Sequence, residues 1–232
     1  MYLSIDQGTT GTTACLIDAE TFLFIGKVNQ EYPQIYPKPS WVEHNLNDIW
    51  STVEYTTREL LRSNNIQGNQ IIAIGITNQR ETTCAFNRSG VPLANAIVWQ
   101  DRRTSDFCHE LSARPGLVEK IKKTAGLPID PYFSATKMNW LLKNNSHVAE
   151  AAAKKDLLLG TIDTFLLYKL SGHVAHKTDA SNASRTMLMD LKTTNWDQEL
   201  LNIFEIKKEF LPSIEDSFHL FGVTKNLSFL PD

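Results

Sequence analysis

Short apolar runs separated by tight polar turns open the chain. Residues 2–6, 13–18 and 22–30 each read as a strand, and the brief links between them predict an antiparallel meander. A loop carrying Pro33, Pro37 and Pro39 leads to Trp41. The spacing then changes to that of a helix. Ile49, Val53, Leu60 and Leu61 fall on one side of a helix predicted over 47–63, with Asn47 as its cap. Ile71-Ile72-Ala73-Ile74-Gly75-Ile76 is continuously apolar, the pattern of a strand covered on both faces. Helices are predicted over 104–112, 117–125, 134–144 (with Ser134 as N-cap) and 146–155. Leu157-Leu158-Leu159 reads as another buried strand, feeding a helix over 163–170 that stops at Gly172. A strand near 187–191, short helices around 197–203 and 207–211, and an extended segment at 227–232 complete the series. The succession predicts one α/β domain, a mixed sheet flanked by helices, with an inserted helical or loop portion and no internal repeat.

Composition narrows the class. With 232 residues, 42% hydrophobic and 21% charged, the chain is long enough to bury a sizeable core. A net charge of −3 with dispersed basic residues argues against nucleic acid or an anionic membrane as partner. No apolar run has the length of a membrane span, and the first residues already form a core strand, which argues against a cleaved signal peptide. Cys15, Cys84 and Cys108 show no metal-ligand spacing. Cys15 and Cys84 lie in apolar runs and read as buried free thiols, which fits a reducing cytoplasm.

Candidate chemistry begins at residue 6. Leu3-Ser4-Ile5 delivers the Asp6 carboxylate, and Gly8-Thr9-Thr10-Gly11 follows before the next strand. Glycines at 8 and 11 permit backbone conformations that gather main-chain N–H groups around an anion, and threonine hydroxyls add donors. Asp6 at the strand end is suited to a Mg²⁺ that shields the same phosphates. The residues equally fit a plain hairpin turn. There is no Walker A lysine. Arg80 and Glu81 leave the apolar run at 71–76 as adjacent donor and acceptor groups, fit either to read polyol hydroxyls or to form a surface ion pair. Trp99 suits the carbon side of a polyol or a place in the core. Tyr132, in a turn before the helix at 134, faces a cleft or staples the turn.

Seven segments in order, among them DQGTTG (6–11), GITNQRETT (75–83), NAIVWQDRRT (95–104), GLPIDPYFSATKMNWLL (126–142) and TDASNASRTML (178–188), resemble the FGGY carbohydrate kinase family, and within it the members that phosphorylate glycerol. The resemblance runs along nearly the entire chain. It implies a ribonuclease-H-like domain of the actin, hexokinase and sugar-kinase superfamily, with residues 1–232 forming the N-terminal kinase domain and a C-terminal kinase domain absent. It implies ATP and Mg²⁺ as cofactors. Asp6 matches the catalytic carboxylate of the Mg²⁺–phosphate site, and Gly8, Thr9, Thr10 and Gly11 match the ATP phosphate loop. Arg80, Glu81 and Tyr132 match glycerol-binding positions, with Trp99 as the aromatic wall beside the carbons. Thr13 departs from the family, which carries an arginine there. The general-base aspartate and most of the adenine pocket are expected in the missing domain, so the chain alone is expected to turn over little. A homo-oligomer is compatible with the resemblance. The competing reading is a naturally truncated, non-catalytic binding module, or a kinase for another small polyol or sugar.

Overall fold

The opening meander forms as its spacing requires. The computed structural model describes residues Met1–Asp232, beginning with three antiparallel strands: β1 (Tyr2–Gln7), β2 (Gly11–Ile17) and β3 (Phe24–Glu31). Alternation sends Leu3, Ile5 and Gln7 of β1 into the interior and leaves Asp6 exposed on the other face. After the two-residue strand β4 (Glu43–His44) comes α1 (Leu46–Ser63). Its cap is Asn45, not Asn47: the Asn45 side-chain oxygen accepts from the Asn47 N–H at 2.8 Å. Leu46 is itself fully buried, so the helix starts one residue earlier than the apolar spacing suggests.

β5 (Ala73–Asn78) pairs in parallel with β1, giving the order β3-β2-β1-β5. It is an edge strand, and the expectation of cover on both faces fails. Ile74 and Ile76 are half-buried against the core, while Ala73, Gly75 and Thr77 are exposed. Only one face of this strand has helices packed on it, so its apolar run reflects one buried row alternating with an open row of small residues.

A second four-stranded sheet, not predicted by the apolar pattern, is built from β6 (Thr83–Asn87) and β7 (Ala96–Ile97) together with β4 and a later strand. Helices α2 (Ser105–Ser112), α3 (Leu117–Ala125), α4 (Ser134–Asn144) and α5 (Ser146–Ala153) follow. α4 is capped at Phe133, so Ser134 is its first helical residue and not its cap. β8 (Leu157–Thr161) then pairs antiparallel with β6, completing the order β4-β7-β6-β8, and leads into α6 (Ile162–Leu170). The chain continues through β9 (Lys177–Asp179), the single turn α7 (Ala180–Ala183), and the hairpin β10 (Met189–Asp190) and β11 (Asn195–Trp196). It closes with α8 (Gln198–Ile203), a 3-10 turn at Lys208–Phe210 in place of the helix predicted there, and β12 (Ser213–Glu215) parallel to β9.

The second sheet is a wall between two hydrophobic cores. Cys84 and Phe86 of β6 and Leu158 of β8 face one core with Leu3, Ile5, Ile49, Val53 and Phe165. Ala85, Leu157 and Leu159 face the other, among the residues of α3, α4, α5 and α8. Period-two alternation is enough to divide two adjacent strands between two cores. All three cysteines are unpaired. Cys84 and Cys108 are buried, whereas Cys15 is only half-buried, on the open face of the first sheet. Phe229 and Leu230 pack into the first core. No helix is long and apolar enough to cross a membrane.

Candidate functional site

The Gly8–Gly11 turn is pinned from below. The Gly8 carbonyl accepts from the Tyr32 hydroxyl at 2.6 Å, from the Gln7 amide at 2.8 Å and from the Gln79 amide at 3.2 Å. The Thr9 carbonyl accepts from Tyr32 at 2.9 Å and from Gln34 at 3.1 Å. With their carbonyls drawn inward, the Thr9 and Thr10 N–H groups find no acceptor in the protein and are free to donate outward. Neither Gly8 nor Gly11 adopts a positive φ, which corrects the reason assigned to them from sequence. Gly11 is needed for space: a Cβ there would lie 2.7 Å from the Gln30 carbonyl oxygen on β3. Thr12 turns inward to bond Thr52 of α1 at 2.7 Å, so the turn is tied to the helix as well.

The polar cluster beneath the turn is uncharged. Burial pushes the Tyr32 phenol up to about 12 and the His44 imidazole down to about 4, so both are neutral near pH 7. His44 lies within 3.2 Å of the Gln79 amide and 2.7 Å of Gln34 Oε1.

Asp6 is exposed at the end of β1, opposite Thr13 on β2 and Thr77 on β5. Its side chain forms no ion pair or hydrogen bond within the chain. A single carboxylate free of internal partners suits Mg²⁺, which keeps several waters and takes one or two carboxylates beside substrate phosphates. The Thr13 hydroxyl, at the position where the resemblance leads one to expect an arginine, accepts from Asn29 Nδ2 at 2.8 Å.

The second half of the site follows β5. Gln79 belongs to the cluster just described, Arg80 is exposed, and Glu81 is buried at 3% exposure. Glu81 has φ 64°, a left-handed backbone unusual for a residue with a Cβ. The Glu81 carbonyl accepts from the Ser134 hydroxyl at 3.0 Å, which is the role Ser134 takes in place of capping. Trp99 and Tyr132 pack with ring centroids 5.5 Å apart. The Trp99 indole Nε1 donates to Thr9 Oγ1 at 3.0 Å, joining the aromatic wall to the glycine turn. An indole only donates, so the Thr9 hydroxyl accepts there and keeps its own proton for an outer acceptor.

Two cationic side chains are buried, one paired with carboxylates and one held by carbonyls. Arg103, whose side chain is 2% exposed, binds Asp101 at 2.8 Å and Glu43 at 2.7 Å, with its guanidinium 3.7 Å from the centre of the Trp41 ring. Lys137, fully buried in α4, donates to the carbonyls of Tyr132 at 2.6 Å and Phe133 at 3.1 Å. Burial lowers its ammonium to about 7, against the opposing pull of Asp101 and Glu81.

The fold thus places Gly8–Gly11 with Asp6 in one group and Glu81, Trp99 and Tyr132 in an adjacent one, while Arg80 is exposed beside Glu81 and its side chain makes no hydrogen bond or ion pair. Tyr32, Lys137 and Arg185 are further members that sequence reasoning did not single out. Tyr32 has no local signal at all. Lys137 and Arg185 lie within segments that carry the resemblance, but no chemistry distinguishes them there.

This α/β domain, with a pinned glycine-threonine turn beside a cluster of Glu81, Trp99 and Tyr132, has the architecture of a sugar kinase lobe. The chain belongs to the FGGY family of carbohydrate kinases, matching the family's N-terminal domain over residues 1–229. It is 46% identical over 231 residues to a glycerol kinase of Myxococcus xanthus, covering 99% of this chain and 46% of that protein. Among solved structures, Plasmodium falciparum glycerol kinase with ADP superposes with a TM-score of 0.90 at 35% identity, over 97% of this chain and 45% of the other. Gluconate kinase from Lactobacillus acidophilus superposes with a TM-score of 0.84 at 27% identity, over 97% and 44%. The chain spans about half the length of the curated relatives it matches.

Proposed function

We propose that this chain is the N-terminal half of an ATP-dependent glycerol kinase, the half that reads the polyol and holds part of the ATP phosphates. The observation that carries the reading is the Trp99–Thr9 hydrogen bond. It makes one continuous site of an anion-binding turn and a pocket with both an aromatic wall and a buried carboxylate. Such a pocket suits a small molecule with apolar carbons on one side and hydroxyls on the other. Among polyols, glycerol is the choice supported by relatives named glycerol kinase.

Phosphoryl transfer depends mainly on in-line positioning and charge stabilisation. Here Arg80 and Glu81 hold the polyol hydroxyls, while Trp99 and Tyr132 press on its carbons. The Thr9 and Thr10 amides and hydroxyls hold phosphate oxygens, with Gly8 and Gly11 shaping the turn. Asp6 would hold Mg²⁺, directly or through water, and the ion supplies charge neutralisation at the phosphates. The general base and most of the adenine pocket belong to a C-terminal domain beyond this chain, and closure of the two domains excludes water. A cytoplasmic setting fits three unpaired cysteines.

The test is ADP release from MgATP with a panel of polyols, on the polypeptide that continues past Asp232 and on the 232-residue chain. The longer polypeptide is expected to turn over with glycerol and to yield sn-glycerol 3-phosphate, the shorter one to turn over negligibly. Preference for a pentulose would move the protein to another branch of the family. Robust turnover by the short chain would place the general base within it and overturn the division of labour.

A further inference from the structure

Segment 178–188 is the stretch of sequence for which the reading above has no use. The fold brings it against the polyol turn, with 104 positions separating Glu81 from Arg185. Asp179, at the end of β9, accepts from the backbone and side-chain N–H groups of Asn182, both at 2.8 Å, and so fixes the turn α7. The Asn182 side-chain oxygen then accepts from Asn78 Nδ2 at 3.0 Å. Asn78 is the last residue of β5, directly ahead of Gln79, Arg80 and Glu81. Just beyond α7, Arg185 Nε donates to Glu81 Oε1 at 2.6 Å.

This pair differs from the surface ion pairs of the molecule. The Glu81 side chain is 4% exposed and that of Arg185 29%. The guanidinium lies 4.9 Å from the centre of the Phe133 ring and 5.7 Å from that of Tyr132, so aromatic faces hold its plane. The Glu81 backbone is fixed as well, by its positive φ and the Ser134 bond. One carboxylate oxygen is therefore engaged, while Oε2 has no partner in the protein. An ionised carboxylate has about four acceptor positions, and those on Oε2 are left for a ligand.

We propose that Arg185 is a positioning residue for polyol recognition. By holding Oε1 it aims Oε2 of Glu81 at the hydroxyls and keeps the carboxylate from turning toward Arg80 or Lys137. This assignment rests on the polyol reading of the site. It gives segment 178–188 a role: α7 carries the clamp, and Asn182 sets its distance from the turn through Asn78.

Calorimetric titration of glycerol and, separately, MgATP into the chain tests it, with R185M, R185K, E81Q and the E81Q/R185M double variant. R185M is expected to weaken glycerol binding about tenfold or more, the loss of one charge-assisted hydrogen bond. R185K is expected to recover only part, because an ammonium lacks the planar fork. In the E81Q background R185M is expected to add less than about twofold, because both changes remove one interaction. MgATP affinity stays within about twofold throughout, a selectivity that general loosening of the fold would not produce. Unchanged glycerol affinity in R185M, or in R185K if R185M does not fold, overturns the role of Arg185 while leaving the polyol reading intact. So do fully additive losses in the double variant. Absence of saturable glycerol binding by the unsubstituted chain overturns the polyol reading and this assignment together.

Discussion

The glycine turn and the cluster proposed to read the polyol lie side by side, linked by Gln79 and the Trp99–Thr9 bond, yet they are built from opposite materials. Beneath the turn are neutral groups, Gln7, Tyr32, Gln34, His44 and Gln79, all bonding carbonyls or one another. The second group and the segment following Trp99 carry paired charges braced by rings, Glu81 with Arg185 and Arg103 with Asp101 and Glu43. The difference matches the ligands proposed for each part. A phosphate brings its own charge, so its cradle needs only N–H groups held outward and gains nothing from a buried counter-charge. A polyol is neutral and hydroxyl-rich. It is bound firmly by ionised acceptors and donors, and these must be paired before they can be buried.

Arg103→Met breaks the charged side of this contrast most severely. It strands the Asp101 and Glu43 carboxylates, and a loss of about 3–5 kcal/mol in urea unfolding is expected. A loss near zero would mean that the pocket does not depend on this buried network.

Acid breaks the neutral side. His44 and His176 are held down to about 4 by burial, against an ordinary 6.5. The unfolded chain therefore takes up more protons as pH falls, and the stability these rings contribute is complete above about 6.5 and gone by about 4. Asp163, raised by burial to about 6 from an ordinary 3.8, acts in the opposite sense and favours the folded chain as pH falls through that window. From these three groups alone the net is a loss on the order of 3 kcal/mol between pH 7 and pH 4. Urea midpoints across this range check it, and a flat profile would contradict the neutral burial of His44 and His176.

Tyr32→Phe sharpens the contrast. The Gly8 and Thr9 carbonyls lose a donor, and the Gln7 and Gln79 amides lose an acceptor, for an expected destabilisation of about 1–3 kcal/mol. Nucleotide affinity should fall while glycerol affinity holds. The smallest effect is expected from Trp99→Phe, which keeps the aromatic wall and removes only the N–H to Thr9. Stability should change by about 1 kcal/mol or less, with nucleotide binding weakened more than glycerol binding. Equal losses for both ligands would show that the ring, not its hydrogen bond, joins the two parts.

The two sides of the site were also unequally legible in the sequence. Asp6 and the turn at 8–11 stand in one short stretch, so their neighbourhood could be read directly, although Gly11 proved to be required by the approach of Gln30 and not by its φ. Arg80, Glu81, Trp99 and Tyr132 were each open to a bland reading, and resemblance, not spacing, brought them together. Tyr32 and Arg185 act across long separations that no local pattern records. The fold shows the same limit. Long periodic elements such as α1 are visible in one sequence. Strands β4 and β7, two residues each, are set by pairing with distant neighbours, and so the second sheet was missed. The open face of β5 was missed because an apolar run shows hydrophobicity and not what covers it.

The central claim is that this half alone reads the polyol, through Arg80 and Glu81. Titrating glycerol into the 232-residue chain and into its Arg80→Ala variant tests it most directly. The account predicts saturable binding near the millimolar range, about −4 kcal/mol, and its loss in the variant. Equal binding by both proteins, or none by the unsubstituted chain, would contradict it.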